Sequence, residues 1–144
     1  MVEIQANIDD LSAEILAASQ ENLLQAGALE VFFTPVQMKK NRPGVLLSII
    51  APEPAIPALE TILFRETGTF GIRRHRAERS KLQREKVTVE TPWGSVTGKR
   101  GWRNDGLAVF SPEFEDCARL ARQTGVALGD VYRAVQEAYY QTQR

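Results

Sequence analysis

The chain has 144 residues, 43% of them hydrophobic and 25% charged, which suits one compact domain or two small packed units and argues against a disordered tail. Its 18 basic groups balance its 18 acidic ones, so net charge gives no reason to expect a nucleic acid or an anionic membrane surface as partner. The single cysteine, Cys117, excludes an internal disulfide and any zinc-ligand spacing; this fits a reducing compartment, and the protein reads as cytoplasmic.

The N-terminus, MVEIQANIDD, lacks the cationic start and apolar stretch of a signal peptide. No apolar run approaches the ~18 residues that span a bilayer, and no period of repeat length recurs. Val2, Ile4, Ala6 and Ile8 alternate with Glu3, Gln5 and Asn7, the period-two pattern of a strand with one buried face. Ser12 then caps a helix running to about Ala26, with Leu11 placed to pack on Leu16 as a hydrophobic staple and Gly27 closing the helix.

Leu29 to Met38 is rich in β-branched and aromatic residues, and Pro35 in its middle removes a backbone donor, so this strand belongs at a sheet edge. Pro43-Gly44 is expected to turn the chain into Val45 to Ala51, a near-continuous apolar run that reads as a buried central strand. Pro54 to Glu66 has helical spacing and Gly68 ends it. From Gly71 to Arg84 a weakly alternating, cation-rich stretch reads as a fourth strand, completing βαββαβ. That is the ferredoxin-like order, with the second strand at an edge and the first and third central.

Val87 to Thr91, Pro92-Trp93-Gly94 and Ser95 to Arg100 read as a hairpin, and Leu107 to Phe110 as a further strand. Ser111 as N-cap with Pro112 at the first helical position opens a helix that ends at Gly125; a last helix, Asp130 to Gln141, sets Val131, Val135, Ala138 and Tyr139 on one face. The fold class is therefore α+β. A ferredoxin-like unit over residues 1–84 precedes a small β-hairpin plus two-helix unit over residues 85–144, the two expected to pack as one compact domain.

Lys39, Lys40 and Arg42 stand together at the end of the second strand, and no Lys or Arg precedes them. Ammonium and guanidinium groups so placed can hold a phosphate chain through charge-assisted bonds. The plain alternative is a solvated hairpin tip, and composition alone favours it. Asp9 and Asp10, between strand and helix, offer hard oxygen ligands to Mg²⁺ or Mn²⁺, although Asp is also a common capping residue. Phe64 to Arg73 leaves a helix through two glycines with two hydroxyls and two arginines; it is neither a Walker loop nor a dinucleotide fingerprint.

Other constellations are poorer. His75, the sole histidine, lies in a cationic run and reads as a surface residue, and Cys117 reads as a buried apolar side chain. Residues 120–135 mimic a helix-turn-helix, but the second helix offers only Arg133 as a cation, too little for reading DNA. Neither VEIQANI nor VLLSIIA carries aromatics for stacking RNA bases. Phe70, Trp93 and Trp102 are aromatics that could stack on a single base or equally pack in a core or interface.

The stretches ANIDDLSAE, GALEVFFTPVQMKKNRPGVLLSII, FRETGTFGIR, TPWGSVTGK and SPEFEDCARLA together resemble the LarC family, the nickel-insertion proteins of the lactate racemase cofactor pathway, in its C-terminal domain. The family is a CTP-dependent cyclometallase, of the lyase class, that inserts nickel into pyridinium-3,5-bisthiocarboxylic acid mononucleotide with hydrolysis of CTP. The resemblance implies that this chain binds CTP with Mn²⁺ or Mg²⁺ and associates into a homo-oligomer. It makes Lys39, Lys40 and Arg42, from MKKNRPG, candidate triphosphate ligands and Asp9 and Asp10, from NIDD, candidate metal ligands. Arg65, Thr67 and Arg73, from FRET and GIR, join them.

The sequence departs from its relatives at Leu11-Ser12-Ala13, where Met-Asn-Pro is frequent, and at Gly68, where threonine is usual. Relatives also carry an N-terminal region absent from these residues, so the resemblance implies nucleotide binding without completed nickel insertion. The alternative is a non-catalytic ferredoxin-like module for ligand binding or oligomerisation. In the ferredoxin-like order the end of strand two and the start of helix one need not adjoin within one chain, which favours a site between subunits.

Overall fold

Alternation along the first strand dictates the sheet. The computed structural model describes residues 1–142, and in it β1 (Val2–Ile8) buries Val2, Ile4, Ala6 and Ile8 on one face. α1 (Ala13–Gln25) starts at Ser12, whose Oγ accepts the Ile15 N–H at 3.4 Å. β2 (Glu30–Met38), β3 (Arg42–Ala51), α2 (Ile56–Thr67) and β4 (Arg73–Arg76) follow. The sheet order is β2-β3-β1-β4, antiparallel throughout. This is the α+β, ferredoxin-like arrangement expected, with β1 and β3 central and Pro35 on the edge strand.

The core of this unit, Met1–Arg79, lies between the sheet and the two helices. Leu47, Ile49 and Ala51 of β3 join the β1 residues, and Leu23, Leu59 and Leu63 close over them from α1 and α2. Each fully buried Leu or Ile contributes about 1.5–3 kcal/mol relative to exposure. The fourth strand is shorter than expected, four exposed residues rather than a run to Arg84. The register explains it: Arg76 pairs with Val2, the first residue of β1, so the chain beyond has no partner strand.

The turn into β3 also differs. It is made by a 3-10 turn at Lys39–Asn41, with Lys40 and Asn41 both at φ 57°, while Pro43 and Gly44 already belong to β3. Gly44 serves another purpose. A Cβ there would stand 2.7 Å from the Ile8 carbonyl oxygen and 2.6 Å from Met38 Sδ, so the glycine lets β3 lie tight against the end of β1.

The second unit, Ser80–Arg144, is built on the sheet β5 (Arg84–Thr91), β6 (Gly94–Trp102) and β7 (Ala108–Pro112), in that order. α3 (Phe114–Thr124) and α4 (Leu128–Gln141) bury Cys117, Leu120, Val131, Val135 and Tyr139 against Val89, Val96 and Phe110. Phe110 and Tyr139 stack with centroids 4.3 Å apart. Gly98 faces the Phe110 ring so closely that no side chain fits there. α3 starts later than the Ser111-Pro112 signal suggested. Pro112 is the last residue of β7, opposite Gly98, and Glu113 precedes the helix without a side-chain cap.

Candidate functional site

Strand direction gathers the candidate residues. β1 and β2 both run antiparallel to β3, and β4 runs antiparallel to β1. The last residues of β1, the β2–β3 turn, the start of α1, the exit of α2 and the first residue of β4 therefore share one end of the sheet. Asp9, Asp10, Lys39, Lys40, Arg42, Thr67 and Arg73 all stand there.

Two contacts knit this end together. Arg42 Nη1 lies 3.6 Å from Asp9 Oδ2, with the Asp9 side chain 20% exposed and that of Arg42 59%. Arg73 Nη2 donates to Asn7 Oδ1 at 2.6 Å. The first contact corrects the expectation that the cationic turn and the Asp9-Asp10 corner need not meet within one chain. β3 begins at Arg42 and pairs with β1, Ile8 opposite Val45, so the turn is delivered to the end of β1 by the central strand pair.

A cavity of about 150 Å³ opens beside this pair, lined by Asn7 to Asp10 and by Thr67 to Phe70. Thr67 is buried, and its hydroxyl donates to the Leu63 carbonyl at 2.6 Å. Its proton is thus committed within the helix, and its lone pair receives the Thr69 N–H at 3.4 Å. Thr69 Oγ1 donates to the Gly71 carbonyl at 3.0 Å and accepts the Gly71 N–H at 3.5 Å. These bonds tie down the loop after α2, which Gly68 enters in the left-handed conformation at φ 61°.

The remaining cations divide. Lys39 and Lys40 are exposed, and neither forms an ion pair among the described residues, so the turn presents uncompensated charge beside Arg42. Arg65 turns to its neighbour Glu66, with Nη2–Oε1 at 2.6 Å, and does not reach the cavity. Asn7 and Thr69 were not singled out from the sequence. The only signals available for them were the polar end of an alternating strand and the second hydroxyl of FRETGTFG.

The donors at this end are hard oxygens: two consecutive carboxylates, the Asn7 amide and the loop threonines. That set suits Mg²⁺ or Mn²⁺ when phosphate oxygens complete the shell, and it does not suit a soft metal. Among the described residues no three His, Cys, Asp or Glu side chains cluster as a self-sufficient metal cage. Cys117 is fully buried in the second unit, and desolvation pushes its thiol pKa up, which leaves it inert as a nucleophile. Asp116, beside it, is held below the usual carboxylate range by the Thr97 N–H and by Arg119, a helix-to-strand tie.

A larger cavity, about 550 Å³, lies at the other end of the first unit, around Val2, Ile56, Pro57 and His75. Its cations are matched, Arg74 to Glu60 at 3.2 Å and Arg76 to Glu53 at 3.5 Å. It holds none of the candidate residues. No described helix is long and apolar enough to cross a membrane.

The sequence profile of the family described as nickel insertion protein matches residues 1–132. The chain belongs to the LarC family of nickel insertion proteins. It is 43% identical over 135 residues to the pyridinium-3,5-bisthiocarboxylic acid mononucleotide nickel insertion protein of Acetivibrio thermocellus, covering 94% of this chain and 33% of that protein. Its identity to the Clostridium acetobutylicum protein of the same description is 39% over 132 residues, covering 92% of this chain and 31% of that one. The chain thus spans about a third of the length of these family members.

Among solved structures it matches LarC2, described as the C-terminal domain of a cyclometallase involved in synthesis of the NPN cofactor of lactate racemase, in its apo form. The TM-score is 0.90 at 38% identity, covering 96% of this chain and 95% of that one. A protein from Methanopyrus kandleri AV19 has the same fold, with TM-score 0.71 at 22% identity, covering 94% of this chain and 84% of that one.

Proposed function

We propose that this chain is the nucleotide-binding domain of a CTP-dependent cyclometallase, taking CTP together with Mn²⁺ or Mg²⁺ at the end of the first sheet. The reaction served is nickel insertion into pyridinium-3,5-bisthiocarboxylic acid mononucleotide, the substrate named for its Clostridium and Acetivibrio relatives. The observation that carries the reading is the Asp9–Arg42 pair: a carboxylate that lines the cavity together with Asp10, paired to a guanidinium that follows Lys39 and Lys40 in the β2–β3 turn. A metal–triphosphate complex has the matching pattern, a cation bound to a string of anions.

Asp9 and Asp10 are assigned to the divalent metal, and Arg42, Lys39 and Lys40 to the triphosphate oxygens. Arg73 holds Asn7 at the rim, Thr67 anchors the loop, and Arg65 joins only if it leaves Glu66. The bound metal would neutralise charge on the phosphate oxygens. Nickel is cargo in this scheme. One buried thiol and one exposed histidine cannot cage it, so its handling is assigned to parts of the longer relatives outside these residues. The chain accordingly binds CTP without completing insertion alone.

Association of copies accompanies this reading. The outer edges of β2 and β4 are free within their sheet, and α1 carries Glu14 and Glu21 with no cation; a single-chain mass by light scattering would remove this part of the proposal. The binding reading is tested by titration calorimetry with CTP, ATP and GTP, with and without Mn²⁺. Tightest binding is expected for CTP with Mn²⁺, and Arg42→Ala is expected to weaken it about tenfold, or about 1.4 kcal/mol. Nucleotide binding indifferent to both metal and base would overturn the assignment.

A further inference from the structure

We propose that Phe70 is the platform on which the base of the bound nucleotide stacks. This rests on the nucleotide reading of the Asp9–Arg42 cavity and adds the one component that charge cannot supply. Phe70 is fully exposed, at 105% of its reference area, whereas the other exposed large apolar residues lie between 39% and 60%. It lines the cavity that contains Asp9 and Asp10. The remaining aromatic candidates are occupied, Trp93 against the core of the second unit and Trp102 under the Arg100 guanidinium at 5.1 Å.

The ring is presented by a braced loop. Thr67 is bonded to Leu63 and to the Thr69 N–H, and Thr69 bonds both the carbonyl and the N–H of Gly71. Those bonds close across residue 70 and fix the backbone that carries the ring, so less of the loop is left to be ordered on binding. The cavity itself, about 150 Å³, has room for a metal ion and phosphate oxygens but not for a whole nucleotide. With the metal held at Asp9 and the phosphates at Arg42, the base leaves across the rim, where Phe70 stands.

Stacking on a phenyl ring favours any base over none, since every base has a π-face. Phe70 therefore supplies affinity for the nucleoside end without choosing cytosine. The test compares Mn·CTP with Mn·tripolyphosphate by calorimetry on the wild-type chain, Phe70→Ala and Phe70→Trp, with melting curves confirming that all three are folded. Phe70→Ala is expected to weaken CTP about tenfold, to leave tripolyphosphate unchanged, and to be rescued by Phe70→Trp.

Equal loss on both ligands would make Phe70 a scaffold residue and overturn the proposal. So would unchanged CTP affinity, or a wild-type chain that binds CTP no more tightly than tripolyphosphate. A wild-type chain that binds neither ligand defeats the nucleotide reading itself, and the Phe70 role with it.

Discussion

Asp9 and Arg42 neutralise each other in the free chain at 3.6 Å, and on the proposed reading this sets how a ligand must arrive. Bare Mn²⁺ would have to displace a guanidinium from Asp9, and metal-free CTP would have to displace a carboxylate from Arg42. A metal–nucleotide complex would let both residues exchange partners at once. Partly exposed pairs of this kind are worth about 0.2–1 kcal/mol, so Asp9→Asn is expected to tighten metal-free CTP by a factor of about 1.4 to 5. The same variant should lose most of the affinity that Mn²⁺ adds. Calorimetry in EDTA and in Mn²⁺ reads both effects, and an Mn²⁺ enhancement equal to that of the wild type would remove Asp9 from the metal site. Charged residues of this site were legible in the sequence because their types advertise their chemistry. Asn7 and Thr69 were not, because an amide at a strand end and a hydroxyl in a loop acquire a role only once register and turn geometry place them.

Elements bring the charges together, and one glycine governs how closely. Gly44 has no positive φ, so any residue fits its backbone; what forbids a side chain is the Ile8 carbonyl and the Asp9 Cβ, the latter 3.3 Å from where a new Cβ would stand. Gly44→Ala must push β3 from the end of β1 and carry Arg42 away from Asp9. A loss of about 1–3 kcal/mol is expected for such overpacking, read as a lower urea midpoint, and a wild-type midpoint would show that the strands have slack. The sequence pointed to Pro43-Gly44 as the turn because that dipeptide favours turns. Lys40 and Asn41 took it, since the cross-strand register runs on to Met38 opposite Arg42. Pro112 misled in the same way. A proline at the first helical position and a proline ending a strand look alike locally, and only its pairing with Gly98 separates them.

At the scale of the molecule, the order βαββαβ was readable because the apolar period changes from two to about four and back with each element. Burial follows the pattern closely, as in Val2, Ile4, Ala6 and Ile8 on β1 and Val131, Val135 and Tyr139 on α4. What resisted reading was length, most plainly in β4. Its sequence alternates weakly as far as Arg84, but a strand lasts only as long as its neighbour, and Arg76 already pairs with Val2, where β1 begins. The cations beyond Arg76 therefore decorate a segment without strand or helix, as far as Gln83. The same logic explains why three separated stretches converge on one candidate site: antiparallel order returns each of them to one end of the sheet, a property of topology and not of any residue.

The turn at Lys40 and Asn41 carries a further consequence. Left-handed backbone costs an ordinary L-residue about 1–2 kcal/mol, a cost asparagine lessens and glycine escapes. Lysine at residue 40 thus places a cation where conformation argues for none, and the molecule holds that charge at the expense of its own stability. Lys40→Gly is expected to raise the unfolding free energy by about 1 kcal/mol while weakening Mn·CTP. Denaturation and calorimetry on the one variant would show both, and a glycine variant that gained stability with no loss of affinity would mean that the strain at residue 40 has no ligand to answer for it.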